Sequence, residues 1–575
     1  MNEEKKLTGY PSIDKPWLKY YSEEAINAKL PECSIYEYLY NNNKEHLNDC
    51  ALGYYGRKIS FSDLFDNIEK TAKAFAAIGV TKGDIITMVT VTIPETIYAL
   101  YALNRLGAIA NFVDPRTSAE GISDYIKEVG SKIIVAISGV YDNIRKAIDD
   151  CRIERVIVQS PADSLPAFKK AVYKLTNKEP MVSDSFMYWS DFIKEQATPY
   201  FVDYEKNHCC AIVHTGGTTG IPKGVMLSDD NLNSASFQAD NSPILVKRGD
   251  TFLNIMLPFV AYGLVLGLHT ALTCGWKSIL IPVFQISEFT SLLIKHRPNA
   301  VMGVTSFYEN MINDNSLKNV DFSFLKAALV GGDIISIRVE NEINEFLKAH
   351  NCNIHLSKGY SMTEASATTT ISFENANEPG SNGIPLTHTI IGVFSTDTNT
   401  ALKYGELGEI CIQTPTMMIG YYNNSSETDK VIKKHIDGSV WLHTGDIGYI
   451  NENGMLYIQN RIKRIIIKYD GRKVFPHMIE NSVMKCDGVL SCCAVGVPDC
   501  SHVQGALPIV YIIAEKSETD YETLKAEITS ICAKELTDYA QPVDFRFIDE
   551  MPLTPIGKVD YRALEKMAEE PIDNA

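Results

Sequence analysis

The segment His214-Thr-Gly-Gly-Thr-Thr-Gly-Ile-Pro-Lys-Gly224 is dense in groups that can do chemistry. Its glycines let the backbone turn tightly and bring N–H groups against an anion. The threonine hydroxyls add neutral donors and Lys223 adds a positive charge, a combination suited to a polyphosphate. The spacing is not G-x-x-x-x-G-K-[ST], so this is not a P-loop, and no G-x-G-x-x-G supports a dinucleotide fold. Other reactive side chains read as structural. Ser361 lacks the second glycine of a nucleophile elbow. Cys486, Cys492, Cys493, Cys500 and His502 show no C-x-x-C spacing and fall on a predicted helix, strand and turn, which argues against zinc. Vicinal Cys209-Cys210 reads as core, because small buried thiols behave as hydrophobes. Asp163-Ser164-Leu165 mimics the phosphopantetheine-bearing serine of carrier proteins, but no separate small helical domain surrounds it.

These groups need a scaffold, and the sequence shows its pattern. Strand-like runs (IITMVTV, KIIVAI, RVIVQ, CCAIVHT, SILIPVF, AALVGG) alternate with amphipathic helical stretches such as Ser62–Ile78 and Glu288–His296. This predicts an α/β fold, with parallel or mixed sheets covered by helices. After Asn453-Gly454 the texture changes to a strand, MLYIQN, then the basic Arg461-Ile-Lys-Arg464, then a small α+β pattern. The predicted organisation is a large domain over residues 1–460 and a small mobile domain over 461–575. Thr251 to Trp276 contains no charged residue, which is long enough to span a bilayer. Asn254, Pro258, Gly263, Gly267 and His269 interrupt it, so it reads as buried strands flanking a short helix, with no transmembrane span.

Composition narrows the partners. A chain of 575 residues exceeds one ordinary hydrophobic core, and 45% hydrophobic with 22% charged residues excludes a disordered protein. The net charge of −17 argues against nucleic acid as a main partner. Thirteen cysteines and a polar Met1–Lys6 start, without an apolar signal core, predict reduced thiols in a cytoplasm. Lys169, Lys170, Lys174 and Lys178 read as a solvated face, since a membrane-surface role needs a matching apolar face.

Several motifs occur in one order. Thr215 to Gly224 resembles T-[SG]-G-T-T-G-x-P-K-G, and Gly359-Tyr-Ser-Met-Thr-Glu364 resembles G-Y-G-x-T-E, with Ser361 in place of glycine. Trp441-Leu-His-Thr-Gly-Asp446 resembles W-x-x-T-G-D, and Pro552-Leu-Thr-Pro-Ile-Gly-Lys558 resembles P-x-T-x-x-G-K. Arg461 through Glu480 resembles a hinge segment. With these motifs the chain resembles, over nearly its whole length, the adenylate-forming enzymes that include acyl-CoA synthetases, luciferases and peptide-synthetase adenylation domains.

The resemblance implies that a carboxylate attacks the α-phosphate of ATP and pyrophosphate leaves, so the site must offset repulsion between two anions. It implies that Gly216, Gly217, Gly220, Lys223 and the hydroxyls of Thr215, Thr218 and Thr219 hold the phosphates. Glu364 would bind Mg²⁺, Thr363 would contact the α-phosphate, and Tyr360, between Gly359 and Ser361, would stack on adenine. Gly331-Gly332-Asp333 resembles the adenine-edge segment. Asp446 would accept the ribose hydroxyls, with Arg461 beside it. Lys558 would sit between the acyl carboxylate and the α-phosphate.

The stretch Leu257 to Gly263 has neither the acid of amino-acid-activating domains nor the histidine of many coumaroyl ligases. An uncharged pocket of Phe259, Val260, Tyr262, Gly263 and Phe307 would favour a fatty or aryl acid. No carrier domain follows Lys558, so the acceptor would be a separate molecule, coenzyme A by resemblance or a free-standing carrier protein. A catalytically silent nucleotide-binding regulator is a further alternative, against which Lys558, Glu364 and Thr363 argue. The family's domain rotation would pivot at Lys463 and open a path for pantetheine past Gly471.

Overall fold

The computed structural model describes residues 7–176, 185–215, 223–332, 335–502, 504–515, 521–553 and 559–569. The chain divides into two compact units. One comprises Met1–Ile391, Ile412–His443 and Asn451–Leu456, and the other Gly392–Cys411, Thr444–Ile450 and Tyr457–Ala575. The boundary expected at 460 places 392–411, 444–450 and 457–460 in the large domain. Their contacts group them with the C-terminal stretch instead, and no local pattern in a strand records which distant neighbours it will meet.

The first unit holds two large sheets. In the eight-stranded sheet, Gly420–Tyr421, Lys223–Ser228, Cys209–Thr215, Ile109–Val113, Ile85–Val89, Ile133–Ile137, Arg155–Gln159 and Phe186–Tyr188 lie side by side in that order. The six strands from Cys209–Thr215 onward are mutually parallel, and the first two pair antiparallel at the edge. The central strand Ile133–Ile137 is buried throughout, the unbroken apolar run expected where helices cover both faces. Phe61–Ala77 is one such helix. Ser60 and Asp63 form its capping box, and Leu64, Phe65, Ile68, Ala72 and Phe75 make its buried stripe.

The seven-stranded sheet runs Ser357–Lys358, Ala327–Val330, Ala300–Gly303, Thr251–Asn254, Lys277–Leu280, Cys50–Tyr54 and Arg57–Ser60. The uncharged stretch forms its strand Thr251–Asn254 and then a buried π-helix, Tyr262–Thr270. His269 stays neutral there, its pKa pushed down to about 3 by burial, with ring nitrogens bonded to Tyr101 Oη (3.0 Å) and Asn233 Oδ1 (2.9 Å). Among the described residues no helix is long and apolar enough to cross a membrane.

The second unit has its own core. Val489–Pro498 pairs antiparallel with Ala506–Ala514, which pairs parallel with Asp544–Phe547. Helices Pro476–Val483 and Tyr521–Glu535 supply Ile479, Val483, Leu524 and Ile528 to the cluster over Val510 and Ile512. The cysteines of this region bond elsewhere than to one another. Cys486 Sγ reaches Glu527, Cys492 Sγ the carbonyl of Glu480 and Cys500 Sγ that of Pro498.

Candidate active site

The glycine–threonine segment joins two antiparallel strands whose last registered pair is Thr215 with Lys223. His214 braces this hairpin from below. Its Nε2–H donates to Asn111 Oδ1 at 2.7 Å, and burial drives its pKa to about 4, so the ring is neutral. Gly216, Gly217, Thr218, Thr219 and Gly220 lie outside the described residues, as do Asp333 and Lys558.

Strand register carries Lys223 to a partner distant in sequence. Gly420–Tyr421 adds to the same sheet with Tyr421 opposite Val225. This places the Lys223 ammonium 4.8 Å from the centre of the Tyr421 ring and in an ion pair with Glu427. Lys223 and Lys430 together hold the Glu427 carboxyl at about 2. From the other side, Tyr421 Oη donates to Glu364 Oε1 at 2.7 Å. Burial and the nearby Glu364 carboxylate push the Tyr421 phenol above its ordinary range, so it stays a donor. Lys223 and Glu364, 141 positions apart by number (364 − 223), thus meet through one tyrosine.

Glu364 is held by backbone as well. Thr363–Ala365 is a single 3-10 turn, Ser366 follows in the left-handed region (φ 52°), and the Glu364 carbonyl accepts from Met418 N–H at 2.8 Å. Ser361–Met362 pairs antiparallel with Ala367–Thr368. Tyr360 is buried and its N–H donates to Thr370 Oγ1 at 3.0 Å, while Gly359 N–H reaches the Val330 carbonyl at 3.2 Å. Beneath this strand Lys358 forms a buried ion pair with Glu340 and donates to the Glu378 carbonyl at 2.9 Å. Such a pair is costly to break from one side, so it fixes the launch point of the motif.

Gly331 and Gly332 follow the strand Ala327–Val330, with Gly332 at φ +86°. Tyr262 sits over them. A Cβ at Gly331 would lie 3.6 Å from the Tyr262 hydroxyl, which has no hydrogen-bond partner among the described residues. Phe307 lies over the end of the neighbouring strand, against Gly303, and packs on Phe284 and Phe289 at 4.9 and 5.6 Å. Phe259 is buried with the Arg116 guanidinium 5.5 Å from its ring centre, and Val260 is half-buried. Gly263 faces backbone. A Cβ there would stand 1.8 Å from the Leu257 carbonyl oxygen, so this glycine closes a turn and offers no wall to a ligand. An apolar cavity of about 40 Å³ lies further along the same π-helix, lined by Leu266, Thr270, Ala235, Met302, Leu329 and Trp276 among others. None of the five residues expected to form an acyl pocket lines it.

In the second unit, Asp446 and Arg461 meet. Arg461 Nε lies 2.9 Å from Asp446 Oδ1, and the Asp446 side chain is 4% exposed. Lys463 lies in the 3-10 turn Ile462–Arg464 and is exposed. Arg464, in the same basic segment, is not solvated like Lys463. It is largely buried, pairs with Glu480 at 2.6 Å and stacks 3.8 Å over Tyr561. Gly471 (φ +81°) closes the hairpin between Ile466–Ile467 and Lys473–Val474, with open space where a Cβ would point.

The profile of the AMP-binding enzyme family matches residues 39–422, and that of the AMP-binding enzyme C-terminal domain matches 478–558. The chain belongs to the AMP-binding enzyme family. A long-chain-fatty-acid–CoA ligase of Bacillus subtilis is 27% identical over 562 residues, covering 96% of this chain and 97% of that one. A probable 4-coumarate–CoA ligase of Dictyostelium discoideum is 28% identical, covering 94% and 96%. The ATP-bound MatB structure from Rhodopseudomonas palustris superposes with a TM-score of 0.80 at 21% identity, covering 93% and 99%, which shows a shared fold. The protein is therefore an enzyme of the AMP-forming acid–thiol ligase class, as the motif order implied.

Two residues that join this candidate site, Tyr421 and Glu427, are not among those the motifs mark. Neither sits in a glycine-marked loop. Their signal was the short run Gly420-Tyr421-Tyr422 shortly before an acidic helix start, and only sheet register gives it meaning. The Glu364 carboxylate suits a hard divalent ion. One oxygen is tied to Tyr421, and the other accepts no hydrogen bond among the described residues.

Proposed function

We propose that this enzyme joins an apolar carboxylic acid to coenzyme A in two steps. The carboxylate oxygen attacks the α-phosphorus of ATP and pyrophosphate leaves. The CoA thiolate then attacks the acyl carbon, and AMP leaves with its phosphate oxygen. The observation that carries the reading is the Lys223–Tyr421–Glu364 cluster. It sets a cation and a partly satisfied carboxylate beside the hairpin that bears Thr215. Lys223 pairs with charge on the phosphates, and Glu364, oriented by Tyr421, would hold Mg²⁺. When bound, that ion neutralises phosphate charge. Thr363 serves the α-phosphate, Tyr360 with Gly332 and Asp333 the adenine, and Asp446 with Arg461 the ribose. Lys558 supplies the positive charge where the two anions meet.

The CoA-ligase relatives favour CoA as acceptor, and their fatty and aryl acids agree with an uncharged acyl site. The apolar cavity of about 40 Å³ walled by Leu266 and Met302 is the candidate seat of the acid's apolar end. Lys463 is the pivot that exchanges the adenylating and thiol-accepting arrangements, and Gly471 leaves room for pantetheine. The test is pyrophosphate release with ATP across fatty and aryl acids, followed by transfer to CoA or to a carrier protein. Release without any thioester on CoA would remove CoA from the proposal. No release with any acid would remove the reaction.

A further inference from the structure

The helix Ala167–Thr176 carries its amphipathicity inside out. Phe168, Ala171, Val172 and Leu175 follow the three–four spacing that puts residues on one stripe of a helix. In a globular protein that stripe faces the core. Here Phe168 is 79% exposed, Val172 44% and Leu175 87%, whereas Lys170 and Tyr173 are only half-exposed. The helix is attached to the body through its polar side. Lys169 Nζ donates to the Tyr55 carbonyl at 2.7 Å, and Lys170 Nζ to the Asp163 carbonyl at 3.2 Å. The first of these bonds brings in the turn between Cys50–Tyr54 and Arg57–Ser60, where Tyr55 is 44% exposed and Arg57 and Lys58 are exposed.

Charge selects what this surface fits. Pro166 to Lys178 contains four lysines and no carboxylate, in a chain whose net charge is −17. The acids near the surface, Glu288 beside Tyr55, Asp163 beside Tyr54 and Asp63 beside Arg57, are outnumbered by Lys169, Lys170, Arg57 and Lys58. An exposed apolar stripe with an aromatic at its edge, beside Lys169, Lys170, Arg57 and Lys58, matches the interface of an anionic bilayer. There the stripe enters the acyl boundary, the lysine stems lie along it and their ammonium heads stay at the phosphates. We propose that Ala167–Thr176, with the Tyr55–Lys58 turn, is a reversible docking surface for anionic membranes. It uses none of the residues assigned to the reaction, and it does not depend on which acid the enzyme activates.

The test is flotation of the full-length protein with vesicles of phosphatidylcholine containing about 30% phosphatidylglycerol, and with phosphatidylcholine alone. The expected result is binding to the anionic vesicles that weakens with salt and is much poorer on neutral ones. Phe168→Ser with Leu175→Ser should lower the partition coefficient by about tenfold or more, since both side chains leave the acyl boundary. ATP–pyrophosphate exchange and the melting midpoint should not change, because neither residue packs inside. Lys169→Glu with Lys170→Glu should abolish the preference for anionic lipid. Wild-type protein that stays unbound, or a serine variant that binds as well as wild type, overturns the proposal. So does a wild-type dimer that the serine substitutions dissociate while no vesicle binds, which would make the stripe a self-association surface.

Discussion

Single side chains tie the candidate site together. Tyr421 is the link between Lys223, the proposed phosphate cation, and Glu364, the proposed metal ligand, and its hydroxyl makes a charge-assisted hydrogen bond to Glu364. Such bonds contribute about 1.5–3 kcal/mol, so Tyr421→Phe should slow ATP–pyrophosphate exchange by roughly ten- to a hundredfold and raise the Mg²⁺ needed for half-maximal rate. An unchanged Mg²⁺ dependence would show that Tyr421 does not orient the carboxylate. Lys558→Ala should cripple acyl-adenylate formation while sparing thioester formation from synthetic acyl-AMP, because the charge is needed only while two anions approach. Equal loss of both half-reactions would refute that role. Lys223 and Glu364 were legible in the sequence because glycines and a motif flank them. Tyr421 and Glu427 were not, since a tyrosine in a two-residue strand gains its role only from pairing opposite Val225.

Elements set the reach of these residues. The alternation of strand and helix announced both sheets, and the interrupted uncharged stretch was read correctly as buried. Its π-helical form was not legible, because the 3.6-residue pattern does not record one extra residue per turn. That form matters for the acyl site. It turns Gly263 against the Leu257 carbonyl and carries Leu266 and Thr270 to the cavity. Enlarging Gly263 would therefore distort a turn, and the informative substitution lies elsewhere. Ala235→Leu, on the cavity wall, should shift the chain-length optimum to shorter acids and leave the KM for ATP unchanged. An identical chain-length profile would exclude this cavity from tail binding. Lys463→Pro fixes φ near −65° in the proposed pivot and should arrest one of the two half-reactions in stopped-flow measurements, sparing adenylation. Two wild-type rates would place the pivot elsewhere.

The whole molecule adds a pH dependence of its own. Glu95 is buried near the carboxyl ends of the parallel strands, where Ser164 Oγ donates to its Oε1 at 2.5 Å and Oε2 has no partner among the described residues. Burial, then the charge of Asp163, raises its pKa from 4.5 to about 7. A carboxyl with a raised native pKa favours the fold fully below pH 4.5, and the contribution disappears as pH rises through about 7. Between pH 5 and 8 the protein should lose on the order of 1–3 kcal/mol from this group, and Glu95→Gln should flatten that slope in melting experiments. Parallel slopes for both proteins would mean that another group is responsible.

The second unit draws its chain from 392–411, 444–450 and everything after 456, with stretches of the first unit in between. On a ribosome that adds roughly 5–20 residues per second, its earliest stretch emerges some seconds before the rest and must wait without its final neighbours. The first unit likewise remains open until Leu456 has been made. Neither unit is a bead on a string. A gene cut at residue 460 would yield a C-terminal fragment lacking two of its own pieces, and a nick within 412–443 would sever both units' connectivity at once. Domain grafting between relatives must therefore exchange three segments together, and vectorial synthesis makes the interval between Gly392 and Tyr457 the stretch in which a chaperone has most to protect.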